Sequence, residues 1–253
     1  MEIERSDGIA FERGGKGDAL LVLIHGLATT ARVWAPMLEQ APRRWPGRWI
    51  APDLRGHGGS APGASYAASD YAADIAGLIE RSGASSVTLL GHSMGGVIAL
   101  TLAGSGQVRV DRVFGLAIKA AWTDAELERL TALSQRQPKL FEHEAEAREQ
   151  HRRQCGLECD PASPLLERGT VREGDQWRTA LDQTVFAVSR PPMAELIAAV
   201  PCPVHLACGE NDMMVSVEQL RALDPAARRI DGVGHNAMVD DPGAIWDWIS
   251  GAV

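Results

Sequence analysis

The sequence predicts an α/β fold, with a mostly parallel central sheet flanked by helices and an inserted helical cap. Three observations lead there. Apolar runs of strand length, each bounded by turn residues, are hydrophobic without alternating, as strands buried on both faces are. Helical periodicities separate these runs, and strand–helix alternation is the pattern of a parallel sheet with crossover helices. The alternation then lapses from about Ala120 to Arg190 and resumes at Val204.

EIER and IAFER at the start suit an antiparallel hairpin. LLVLI at Leu20–Ile24 is the first buried strand. Thr30–Ala41 repeats Val33, Trp34, Met37 and Leu38 at helical spacing, with Thr29 or Thr30 as its cap. Trp49–Ala51 is a short strand. Ser69–Ser82 carries Tyr71, Ile75, Leu78 and Ile79 on one helical face, and Gly83 supplies the stop. Val87–Leu90 (VTLL) is a buried strand that runs into a helix over Met94–Leu102, and Val113–Ile118 is another strand candidate. The insertion offers charged helical segments, AELERLTALSQRQ and HEAEAREQHRRQC, with loop signals at Pro138, Pro161, Pro164 and Gly174. Its interleaved charges read as solvated helix faces. Val204–Ala207 and Arg228–Ile230 return to strand, and Ser216–Leu223 and Pro242–Ile249 to helix. The expected organisation is a core of residues 1–119 and 191–253, with a helical cap over 120–190.

The 253 residues suffice for one sizeable core. A formal net charge of -8, without long blocks of like charge, argues against nucleic acid and for a small-molecule partner. The N-terminus lacks a basic start followed by an apolar stretch, so no signal peptide is expected. The longest apolar run is too short for a bilayer, so no membrane partner is expected and the expected location is cytoplasmic. Cys155, Cys159, Cys202 and Cys208 lack zinc-ribbon spacing and read as reduced structural thiols. A metal site built from His143, His151 and the cysteines has no ligand spacing behind it. No metal and no cofactor are expected, and oligomeric state is not readable.

Gly91-His92-Ser93-Met94-Gly95 fits G-x-S-x-G, with a buried strand before it and a helix after it. A tight strand-to-helix turn would project the Ser93 hydroxyl beyond the sheet, beside the positive end of the helix. A hydroxyl needs a base to become a nucleophile. Of seven histidines, His235 lies in a loop between the last strand and the last helix, where a base could reach Ser93. His205, inside a strand, reads as a core histidine. Asp212, just past the strand 204–207, is a candidate to orient the base, with Glu210 and Asp124 as alternatives.

These motifs resemble the α/β-hydrolase superfamily, in its cap-bearing serine esterase-type group. The matching residues are His25-Gly26, DLRGHGGS at Asp53–Ser60, GHSMGG at Gly91–Gly96, GENDMMV at Gly209–Val215 and GVGHNAMVDDP at Gly232–Pro242. The resemblance implies a triad of Ser93, Asp212 and His235, in the family's chain order, and an oxyanion hole from the backbone N–H groups of Leu27 and Met94. Asp53, Arg55 and Ser60 are expected to brace their turn. A serine at position 93 disfavours dehalogenases and epoxide hydrolases, which the resemblance would give an aspartate there. His25, Gly26, His92, Trp122 and Trp177 are candidates for the substrate pocket.

The expected activity is hydrolysis of a small-molecule carboxylic ester through an acyl-enzyme, carboxylesterase-like, with water as second substrate. Thioester, lactone and carbon–carbon bond hydrolysis are alternatives with the same residues. A slow-turnover ligand receptor on the same fold is the alternative of another class.

Overall fold

The computed structural model describes residues 3–252, so Met1, Glu2 and Val253, including the first residue of EIER, lie outside it. The leading hairpin forms between β1 (Ile3–Ser6) and β2 (Ile9–Gly15), antiparallel as expected. β3 (Ala19–Ile24) is buried along almost its whole length. A short 3₁₀ turn, Ala31–Trp34, precedes α1 (Ala35–Arg44), and Thr30 caps it by accepting from the Arg32 N–H. β4 (Arg48–Pro52) follows, then α2 (Ala68–Ser82), which Gly83 ends in the left-handed region at φ 63°. β5 (Ser86–His92) leads into α3 (Met94–Ser105), and β6 (Arg112–Leu116) comes next.

Between β6 and the next core strand lie α4 (Asp124–Ser134), α5 (Glu144–Cys155), the hairpin strands β7 (Thr170–Glu173) and β8 (Gln176–Thr179), and α6 (Met193–Ala199). The insertion is therefore not wholly helical. β7 and β8 pair antiparallel around Gly174 and Asp175, with Gly174 at φ 61°. Only Thr179 among their residues is buried, so no buried run marks them; the two-residue Gly-Asp turn is the hairpin signal.

The core closes with β9 (Val204–Gly209), α7 (Val217–Arg221), β10 (Arg228–Ile230), α8 (Ala237–Asp240) and α9 (Pro242–Ser250). The eight-stranded sheet runs β1-β2-β4-β3-β5-β6-β9-β10, parallel from β4 onward. β3 and β5 sit at its centre, with Ile24 opposite Gly91. This register brings the segment after Ile24 beside the turn after His92, at the carboxyl ends of the strands, where open α/β sheets bind ligands. α3 has buried residues all round, as a helix packed on several sides must. Among the described residues, no helix is long and apolar enough to cross a membrane.

Candidate active site

Ser93 occupies the turn between β5 and α3 at φ 51°, ψ −118°. A non-glycine residue in that region carries about 1–3 kcal/mol of strain and persists only where its surroundings hold it. The hold comes from both sides: the Ser93 N–H donates to Leu116 O at 2.8 Å, and Ser93 O accepts from the Gly96 N–H at 3.0 Å. The neighbouring glycines are required by close approach. A Cβ on Gly95 would collide with Ile24 O, and one on Gly91 with Gly95 O.

The His235 ring donates from Nδ1 to Asp212 Oδ2 at 2.9 Å. Asp212 has a fully buried side chain, and its other oxygen accepts from the Met214 N–H at 2.8 Å and the Val215 N–H at 3.3 Å. Those two amides occupy Oδ1 and leave Oδ2 to the histidine. The other carboxylates that the sequence left open go elsewhere: Glu210 accepts from the Gly232 N–H, and Asp124 pairs with Arg190. With Nδ1 donating, Nε2 of a neutral His235 is left as the basic nitrogen.

Ser93, His235, Leu27 and Met94 line one cavity of about 1230 Å³. Its walls combine α3 (Val97, Ile98, Thr101) with the insertion (Trp122, Leu130, Phe186). Met94 is the first residue of α3, so its N–H has no intrahelical acceptor. Among the described residues, the Leu27 N–H has no protein acceptor either. Gly26 must be glycine for another reason: a Cβ there would sit 2.9 Å from His92 Nδ1 and 3.2 Å from Ser93 Cβ.

The candidate pocket residues divide. Gly26, His92 and Trp122 line the cavity. His92 is buried, and its Nε2 donates to His235 O at 2.9 Å, with the two rings 4.8 Å apart. It therefore braces the backbone of the histidine loop. Trp122 donates to Lys119 O, and the Lys119 ammonium lies 5.2 Å from its ring centre. His25 and Trp177 lie outside the cavity wall. His25 is wholly buried: Nδ1 donates to Gly26 O at 2.8 Å, and Nε2 accepts from the Leu54 N–H at 2.9 Å. Trp177 belongs to β8 and exchanges two backbone hydrogen bonds with Phe141. His205 is half-buried and stacks on Phe114.

Two positioning features were not legible in the sequence. His57 is buried and accepts the Ala28 N–H at Nε2, 3.2 Å away. Arg168, from the insertion, pairs with buried Asp53 and Glu12. Asp53 also accepts from the Ala31 and Gly59 N–H groups, and Ser60 donates to Asp53 O, so this turn is braced as expected. Arg55 clamps Asp74 with two hydrogen bonds.

The model of the alpha/beta hydrolase family matches residues 21–248. The chain belongs to that family. The magnesium-chelatase 30 kDa subunit of Rhodobacter capsulatus is 29% identical, over 97% of this chain and 92% of that protein. Among solved structures, a thioesterase domain from the curacin biosynthetic pathway superposes with a TM-score of 0.80 at 22% identity, over 98% of both chains. An E-2-(acetamidomethylene)succinate hydrolase gives 0.80 at 24%, over 99% of this chain and 98% of its own. Likeness at such identities establishes the fold. The chain spans about a third of the length of the first curated relatives it matches, such as an uncharacterized Mycobacterium tuberculosis protein, 37% identical over 105 residues, which are 41% of this chain and 30% of that one.

Proposed function

We propose that this family member is a serine hydrolase that cleaves a small-molecule carboxylic ester through an acyl-enzyme. Ser93 Oγ attacks the ester carbonyl carbon while His235 Nε2 takes its proton. Asp212 keeps the imidazole in the required tautomer and stabilises the imidazolium. The N–H groups of Leu27 and Met94 receive the carbonyl oxygen as it becomes an oxyanion, a contribution of about 3–4 kcal/mol for each donor. His235 then returns the proton to the departing alkoxide. Water repeats the sequence on the acyl-enzyme and frees the acid.

The observation that carries this reading is that one cavity is lined by a strained serine, a histidine bonded to a buried carboxylate, and Leu27 and Met94, whose backbone N–H groups have no protein acceptor among the described residues. In this reading residues 120–190 form a cap that supplies the outer walls. The cavity exceeds the usual size for ligand pockets, about 300–1,000 Å³, so it has room for more than the ester group itself. Thioesters, lactones and carbon–carbon bonds beside a carbonyl would use the same groups, and a panel of such substrates sorts among them.

The test is Ser93→Ala assayed on nitrophenyl esters, with fluorophosphonate labelling of the parent protein. Turnover should fall by more than about 10⁴-fold, and the label should attach to Ser93 alone. Undiminished multiple turnover in the variant would refute the reading.

A further inference from the structure

The segment Gly26–Thr29 carries the Leu27 N–H, and it turns tightly, with the Thr29 N–H donating to Gly26 O at 3.3 Å. Ala28, the third residue of that turn, lies at φ 63°, where glycine is ordinarily needed. Both polar groups of Ala28 are gripped. Its N–H donates to His57 Nε2 at 3.2 Å, and its carbonyl accepts from the Cys155 thiol at 3.2 Å. The peptide before it is held separately, because Gly26 O accepts from His25 Nδ1 and from Thr29 Oγ1.

His57 is itself fixed on three sides. Its Nδ1 donates to Arg55 O at 3.0 Å, so Nε2 must be the bare acceptor nitrogen. The His25 ring packs edge-on, with ring centres 5.2 Å apart. The backbone around it is bonded to the insertion, the Gly58 N–H donating to Ala180 O and the Asp182 N–H to Gly56 O, each at 2.8 Å. Burial holds the imidazole down to about pKa 4, against weaker opposing effects from Arg55 O, Asp53 and Asp182. It is therefore neutral at ordinary pH, as an acceptor must be.

We propose that His57 is a positioning residue for the oxyanion site, holding the strained Ala28 peptide so that the Leu27 N–H points into the cavity beside Ser93. The side chain does not line the cavity, so its effect passes through Ala28. This inference rests on the serine-hydrolase reading above.

Two variants separate the edges of the ring. In His57→Gln the side-chain oxygen reaches the place of Nε2 and can still accept the Ala28 N–H. In His57→Asn the amide can replace only Nδ1, keeping the bond to Arg55 O and losing the acceptor. Expected for His57→Asn is a loss in kcat of about 10- to 100-fold, the scale of a misplacement near 1 Å, with KM within about two-fold. Binding of a trifluoromethyl ketone that mimics the tetrahedral intermediate, and the rate of fluorophosphonate labelling, should weaken by matching factors. His57→Gln should recover most of all three.

Equal impairment of both variants, or a loss carried by KM with ketone affinity unchanged, would overturn the proposal. So would full activity in His57→Asn. If the parent protein neither labels nor turns over esters, the hydrolase reading fails and takes this inference with it. If the parent is active and His57→Asn is unimpaired, the inference alone fails.

Discussion

Replacing Arg168 with methionine tests how the insertion is fastened to the core. The Arg168 guanidinium reaches Asp53 Oδ2 from Nε at 2.7 Å, Asp53 Oδ1 from Nη2 at 3.1 Å, and Glu12 Oε1 from Nη1 at 2.6 Å. Side-chain exposure is 13% for Arg168, 1% for Glu12 and 0% for Asp53, so water screens these pairs little. Arg32, 3.3 Å from Glu12 and 3.2 Å from the more exposed Glu167, adds a second guanidinium to the cluster. Methionine fills much of the volume but leaves a buried negative charge without its partner.

Breaking such a pair from one side costs about 3–5 kcal/mol. Arg32 and the Ala31 and Gly59 N–H groups still serve the carboxylates, which places the loss near the low end, about 3 kcal/mol. For a chain of this size that lowers Tm by roughly 6–12 °C. Urea unfolding at pH 7 measures the free energy, and a thermal scan measures Tm. Because the penalty is an unpaired buried charge, adding Glu12→Gln to Arg168→Met should restore part of the loss. A single variant within about 1 kcal/mol of the parent, or a double variant no more stable than the single, would refute the reasoning. Acid should erase the same contribution. Burial pushes the Asp53 carboxyl up, but Arg168 and the Gly59 N–H outweigh it and hold the group below its ordinary 3.8. Its stabilising part is thus complete above that value and disappears as pH falls through the lower folded one.

Two further outcomes are expected. Asp212→Asn keeps the shape of the site but can hold His235 in the wrong tautomer, so kcat on a nitrophenyl ester should drop by about 10⁴-fold; a loss below ten-fold would count against Asp212 as the orienting carboxylate. Burial holds His25 down to about 3, His57 and His151 to about 4, and His92 well below its ordinary 6.5. The unfolded chain therefore binds more protons than the folded one below pH 6.5, and stability should fall as pH drops from there towards 4, by up to about 1.4 kcal/mol per pH unit for each histidine. Urea titrations at stepped pH should give His57→Gln a slope smaller by about one proton, and an unchanged slope would contradict a buried neutral His57.

Much of the core was legible because its strands are buried on both faces, which leaves apolar runs that need no partner to be recognised. Arg228–Ile230 and the Gly83 stop agree with the structure to the residue. The insertion was less legible, since β7 is mostly exposed, β8 is only partly buried, and their mainly polar residues carry no alternation. Arg168 looks in sequence like any solvated charge, and only the placement of Glu12 from β2 and Asp53 from just after β4 makes it a buried one.

The sequence by itself determined the turn at Ser93, because G-x-S-x-G between a buried apolar run and a helical periodicity marks a tight strand-to-helix turn. It also determined the fold class and the order of the motifs along the chain. Only the tertiary structure decided which carboxylate meets His235, that His25 and Trp177 stand away from the cavity, and that His57 grips Ala28. These depend on the direction of side chains that meet from far apart in the chain. A hydrogen bond over a few ångströms leaves no periodicity in a sequence, whereas burial along a whole strand does.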